Sequence, residues 1–441
     1  MIASEEDPNR ARPTADGGGG LLALALLALL AGALAGLVGA IFRLTLAEAD
    51  GVRDAFIAWA HGRAALGFTL VVAACAAACA VAGGLVRRYS PQAHGSGIPH
   101  VEAVLRGELP PAPFLLVPVK FLGGLLAIGG GLALGREGPS VQMAATLAHL
   151  VGKLFRRPWS DCRELIAAGA GAGLATAFNA PIAGAVFVLE ELVQRFEPRI
   201  AFAAFAASAT AISVARVLLG DAPDFSVAAL PHDAATRPLD FVFGALAGLV
   251  AVAYNRALLA AIAGAKRLSR WPAEWRAGLV GATVGVLAWF LPGLVGGGDA
   301  ITQSVLAGAA PLALIPAAFL IRFALGAVSY AAGTPGGLFA PMLVLGAQFG
   351  FLCSAACRAM LPELDIQPEG FAVVGMAAFF AGVVRAPITG LVLATEMTDS
   401  VSMLLPMLSA CATAMLTPAL IGDPPIYESL RERSGPAEKC E

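Results

Sequence analysis

Gly135-Arg136-Glu137-Gly138-Pro139-Ser140-Val141-Gln142 is a polar stretch set inside apolar sequence. Upstream, residues 114–134 are almost wholly apolar or Gly apart from Lys120, and Met143 to Val151 returns to largely apolar character. A carboxylate in such surroundings is costly and calls for a partner or a function. Pro139 cannot continue a preceding helix but suits the first position of a new one. Gly135 and Gly138 leave backbone amides open to close approach. The stretch therefore predicts a helix that begins in mid-membrane, its positive end and free N–H groups aimed at something negative. Broken helices of this kind mark substrate sites in transporters. The alternative is a polar re-entrant turn in which Glu137 pairs with Arg136.

The surrounding composition sets the class. The 441-residue chain is 58% hydrophobic and 14% charged, against about 25% charged in a soluble domain. Apolar runs of about 20 residues, long enough to cross a bilayer, fall near 21–43, 65–86, 114–134, 164–189, 200–219, 240–264, 277–295, 305–330, 338–360, 370–394 and 402–421. These predict an all-α, multi-pass protein with the lipid bilayer as its solvent. Net charge of −2 gives no electrostatic case for a nucleic-acid partner.

Residues 1–16 are expected to form a polar cytoplasmic tail, residues 17–430 the membrane domain and residues 431–441 a short C-terminal tail. The first apolar run is too long for a signal peptide and reads as a retained helix. Seven Cys fit no metal or disulfide framework; Cys75/Cys79 and Cys353/Cys357, each four apart in apolar runs, read as packing thiols. No nucleophile–base pair is visible, so the chain is not expected to be an enzyme, and no cofactor or metal is expected.

Arg87 and Arg88 after one run, and Arg256, Lys266, Arg267, Arg270 and Arg276 in the mid-chain connection, place those connections in the cytoplasm by the positive-inside rule. The opposing connections 220–239 and 296–300 carry Asp221, Asp224, Asp233 and Asp299, with Asp240 adjoining the first. Both termini are expected to be cytoplasmic.

The basic connection separates two parts with matching punctuation, halves of about 21–220 and 240–430. Asn179-Ala180-Pro181-Ile182-Ala183-Gly184-Ala185-Val186 is followed by Glu190, and Arg385-Ala386-Pro387-Ile388-Thr389-Gly390-Leu391-Val392 by Glu396, with Pro, Gly, Val and Glu at the same offsets. Upstream of each lies a Gly-rich turn ending in Pro: Gly135 to Pro139, and Gly333 to Pro341. The intervals from Pro139 to Pro181 and from Pro341 to Pro387 are nearly equal. An internal duplication follows, and duplicated halves of this kind are frequently inverted, with broken helices meeting at the midplane.

A further turn, Gly95-Ser96-Gly97-Ile98-Pro99, precedes the first pair. Ser96 suits an N-cap or can turn its hydroxyl to a ligand, and Pro99 again suits a helix start. Three Gly/Pro turns, 95–99, 135–139 and 336–341, thus each offer amide N–H groups at a helix N-terminus. Converging, they would build an anion site without a full positive charge, one that binds loosely enough to release its ion.

These turns, with Gly337-Leu338-Phe339-Ala340-Pro341 and the late Tyr427, resemble the signature elements of the CLC chloride channel and transporter family, in order and spacing, from about residue 21 to 430. The resemblance implies a homodimer whose subunits each hold an ion pathway, built from two inverted halves with many tilted and partial-length helices. It implies that Ser96 and Tyr427 supply hydroxyls, and Leu338 and Phe339 amides, to a central chloride. Glu137 matches the external gating glutamate, and Glu191 the internal glutamate that proton-coupled members use. Chloride and protons are then the transported ions. Gly95, Gly97, Pro99, Arg136, Gly138, Lys120, Glu102 and Glu190 are supporting residues. The chain departs from the pattern at His100, where related bacterial proteins often carry an acid, and at Leu338, where Ile is common. No regulatory nucleotide-binding tail follows Tyr427, as in prokaryotic members.

Several residues carry rival readings. Lys120 and Glu102 would pair with each other in a structural or field-tuning role, since a bare Lys would trap the ion. His94 and His100 read as histidines near a loop, with no assigned role. Arg136, Arg322 and Arg385 read as counter-charges or helix-end anchors. Gly169-Ala170-Gly171-Ala172-Gly173 reads as small-residue helix packing rather than a nucleotide loop, having no following Lys-Ser/Thr. The function expected is proton-coupled chloride antiport. Its rivals are a passive chloride channel of the same fold, or an exchanger preferring nitrate or fluoride; the Ser96 hydroxyl favours chloride within the family.

Overall fold

Residues 18–227, 237–364 and 366–434 are described by a computed structural model. They form seventeen α-helices and, apart from two isolated backbone bridges, no β-structure. The expected tail 1–16 and Asp233 lie outside the described residues.

Gly and Pro decide where the helices stop, so several of the eleven apolar runs are broken or fall short of a full crossing. The apolar run 164–189 is two helices, Trp159–Phe178 and Pro181–Phe187, and the run 370–394 is likewise Pro368–Val384 and Pro387–Thr398. Each pair breaks the same way. The first helix ends on a left-handed residue, Asn179 (φ 50°) or Arg385 (φ 74°). An extended Ala then leads into the Pro that starts the second, since Pro bars the residue before it from helix. The run 305–330 starts late, at helix Ile315–Ala331, after a short helix Asp299–Leu306. Among the described residues, six helices are long and apolar enough to cross a membrane. Others, such as Leu116–Gly129, are shorter than the roughly 20 residues a crossing needs. The first helix, Gly18–His61, continues well past its apolar run. Arg256 is not in a connection: it lies inside helix Arg237–Arg267, 3.2 Å from Asp423. The last helix, Ile426–Ser434, runs past the expected boundary at residue 430.

The two matching blocks cap each other. Glu190 accepts hydrogen bonds from Ile388 N (3.0 Å), Thr389 N (2.6 Å) and Thr389 Oγ1 (2.7 Å). Glu396 accepts from Ile182 N (3.0 Å) and Ala183 N (2.8 Å). Each carboxylate therefore neutralises the open N–H groups and positive end of the partner block's Pro-started helix. The sequence marked both acids by their equal offsets, but not this exchange. Gly169, Gly171 and Gly173 face backbone oxygens of Ala144, Gly184 and Ser140, the close helix approach expected of a small-residue run.

Candidate functional site

Backbone hydrogen bonds hold the three Gly/Pro turns together. Gly135 N donates to Gly337 O (2.9 Å) and Gly337 N to Gly135 O (2.7 Å). Gly95 N donates to Thr334 O and Gly336 N to Gly95 O, each at 3.1 Å. From this knot start helices Ile98–Leu105, Glu137–Leu154 and Phe339–Met360. Two details differ from expectation. Gly97, in left-handed conformation at φ 84°, is the cap of its helix, so Ser96 is not an N-cap. The helix of the central stretch starts at Glu137 itself, ahead of Pro139.

Glu137 is fully buried, and its Oε1 accepts a 2.7 Å hydrogen bond from Phe339 N. The amides of Glu137 and Ala340 also lie near the carboxylate, while Oε2 has no partner. Of the two amides expected to meet an anion, Phe339 is the one occupied; Ala340 was not foreseen. Gly at the turn residue gives this carboxylate its room: a Cβ on Gly135 would stand 2.6 Å from Glu137 Cδ and Oε1. The open amides at this helix start favour a negative group at the buried position.

Ser96 Oγ and Tyr427 Oη are buried facing one another. Ser96 N faces Tyr330 Oη at 3.3 Å. A position added on Gly138 would lie 2.7 Å from Ser96 Oγ, so the first turn packs directly on the second. Phe339 is ringed by Phe380 (4.6 Å), Phe187 (5.8 Å), Tyr427 (5.9 Å) and Phe178 (6.3 Å) between ring centres. The knot is thus a small polar spot in an aromatic sleeve. Glu191 lies apart from it, 6% exposed, on a single π-helical turn Val188–Leu192. Such turns recur at functional sites.

The charged neighbours do not pair as the sequence suggested. Arg136 turns away from Glu137: it donates to Ala177 O and Asp299 Oδ2 (each 2.8 Å) and to Asp224 Oδ2 (3.0 Å). The turn reading with an Arg136–Glu137 pair is therefore overturned. Asp224 is shared with Arg43. Lys120 and Glu102 do not pair either. Lys120 Nζ donates to Gly95 O (2.8 Å), which also accepts from Gly336 N, and to Ala93 O (3.0 Å). Glu102 instead binds Arg106 and Arg431. Arg322 donates to the carbonyls of Leu294, Gly296 and Gly297, and Arg385 to those of Met415 and Asp423, as anchors do. The acids at 224 and 299 were read only as an orientation signal; their basic partner is distant in sequence.

Two cavities reach the knot. One of about 250 Å³ touches Gly135, Arg136 and Ala340 and carries Asp50, Asp224 and Asp299. The other, about 780 Å³, touches Gly95, Gly97 and Tyr330 and carries Lys266, Arg276 and Arg433. His94 and His100 line this second cavity. A carboxylate thus sits on one amide of a knot that both cavities touch.

Comparison with known proteins gives consistent relatives. The family profile described as voltage gated chloride channel matches residues 78–418. The chain is 36% identical over 420 residues to a Vibrio parahaemolyticus protein named H(+)/Cl(-) exchange transporter ClcA, covering 93% of this chain and 89% of that one. A Cronobacter sakazakii protein of the same name is 36% identical over 436 residues, 95% and 91% of the two chains. Among solved structures, one described as a slow cyanobacterial Cl-/H+ antiporter superposes with a TM-score of 0.90 at 29% identity, covering 95% of this chain and 99% of the other.

Proposed function

We propose that this chain, which belongs to the voltage gated chloride channel family, is an integral membrane protein that exchanges chloride for protons. Glu137 is both gate and proton carrier. Ionised, it occupies the Phe339 amide and shuts the anion path; protonated, it leaves the path and an anion takes its place. Ser96 and Tyr427 hydroxyls and the Leu338 and Phe339 amides bind that chloride, replacing its water shell without a trapping charge. Lys120 supports the Ser96 turn through its carbonyls rather than touching the ion. Glu191 relays the proton to the cytoplasmic side along a route partly separate from the anions.

The observation that carries this reading is the 2.7 Å bond from Phe339 N to Glu137, since an anion and this carboxylate compete for one donor. The names of the relatives support exchange with protons in particular. The basic cavity, with Lys266 and Arg276, is the cytoplasmic mouth, and the cavity with Asp224 and Asp299 the external one. The reciprocal caps of Glu190 and Glu396 support two related halves. The assembly is a homodimer in a bacterial inner membrane with both termini cytoplasmic, as the family implies.

The test is the reversal potential of purified protein in liposomes under combined chloride and proton gradients. Exchange predicts a potential displaced from the chloride equilibrium value. A potential at that value means a channel and contradicts the proposal.

A further inference from the structure

Glu102, nearly fully buried on helix Ile98–Leu105, gathers two guanidinium groups on its Oε1: Arg106 Nη2 at 2.8 Å and Arg431 Nη1 at 2.5 Å. Arg106 Nη2 also donates to Gln194 Oε1 at 2.9 Å, and Arg431 Nε stands 3.9 Å from Glu108 Oε2. Each arm ends on a segment holding one residue of the proposed pathway. Ser96 directly precedes the cap of the Glu102 helix. Tyr427 and Arg431 lie four apart on helix Ile426–Ser434 and share a face. Gln194 follows the π turn that carries Glu191. One carboxylate thus ties together the segments of Ser96, Tyr427 and Glu191.

The tether matters because the elements are short. Helices of eight and nine residues do not hold themselves in place, so tertiary bonds set where Tyr427 stands. Charge-assisted bonds to a buried carboxylate are the strong kind, while a buried ion pair adds little net stability. Its more plausible return is a fixed arrangement. Arg431 also lines the basic cavity, at the mouth through which anions reach Ser96.

We infer that Glu102, Arg106 and Arg431 form a positioning clamp that holds Tyr427 against the Ser96 turn and keeps the way in from the basic cavity closed at that contact while Glu137 is out of the path. The clamp rests on the exchange reading above. Loosened, it lets chloride pass without waiting for the proton step, so more chloride moves per proton. A cluster that merely supports the fold would, when cut, lower both fluxes together and leave their ratio fixed.

The experiment measures chloride efflux and proton uptake in the same vesicles for wild type, Glu102→Gln, Arg431→Gln and Arg431→Lys, each taken as a monodisperse fraction. The clamp predicts a chloride-to-proton ratio raised about threefold or more in both Gln variants, within the coupling typical of contacting groups. Arg431→Lys, which keeps a cation in reach of Glu102, should stay near the wild-type ratio. The double Gln variant should go no further than the larger single. If Glu102→Gln does not fold, the Arg431 variants decide alone. A wild-type ratio in a folded Arg431→Gln overturns the clamp. Wild type that moves no protons overturns the exchange reading instead, so the two failures are distinct.

Discussion

The carboxylate of Glu137 and the backbone N–H of Phe339 meet at 2.7 Å, across the boundary between two helix starts that are 202 residues apart in sequence. The bond puts a side-chain anion on an amide that opens a helix, the kind of donor that also binds free anions. Protonation removes the negative charge that holds the side chain there. Chloride flux should accordingly rise as external pH falls and shrink as it rises.

Gly135→Ala tests that bond sterically. The three atoms nearest the added methyl all belong to the Glu137 carboxylate. Glu137 should be displaced from Phe339 N, and chloride flux at alkaline pH should rise above wild type with a flatter pH profile. Fluxes matching wild type across pH would show that the carboxylate does not shut the path from this position.

Ser96→Pro tests selectivity. The Ser96 hydroxyl is buried beside that of Tyr427, where it can replace one water of an anion's shell. Its loss should raise nitrate transport relative to chloride, measured as the ratio of the two fluxes. An unchanged ratio removes Ser96 from selectivity.

Glu191→Gln keeps size and removes titration. Chloride should still move while proton coupling fails, read as pH change and chloride efflux in the same vesicles. If chloride movement still drives protons, Glu191 only braces its π turn.

Glu396→Gln tests the reciprocal caps rather than the pathway. Weakening the acceptor of the Ile182 and Ala183 amides should cost about 1 kcal/mol, the size of a helix-cap contribution. Thermal unfolding in detergent should show a lower Tm, with the chloride-to-proton ratio unchanged. A Tm equal to wild type would deny the cap any weight.

The sequence disclosed the knot because Gly and Pro act locally. Gly97 needs its left-handed φ and Pro181 bars helix from the residue before it, whatever the rest of the chain does. Hydropathy, by contrast, does not report whether a helix is continuous: the breaks at Asn179 and Arg385 lie inside apolar runs and are marked only by Pro181 and Pro387. Charge pairing failed for a different reason. Lys120 and Glu102 are close in sequence, yet backbone carbonyls at and before the first turn hold the lysine and a guanidinium from the far end of the chain holds the acid. Long-range partners such as Asp224 for Arg136 leave no mark in spacing.

Glu137→Gln bears most directly on the central claim that one side chain both gates chloride and carries the proton. The amide is isosteric with the protonated acid and cannot titrate. The measurement is proton movement in vesicles carrying this variant while chloride runs down its gradient. The account predicts that chloride flux persists, loses its pH dependence and moves no protons. Protons pumped against their gradient by Glu137→Gln vesicles would contradict it.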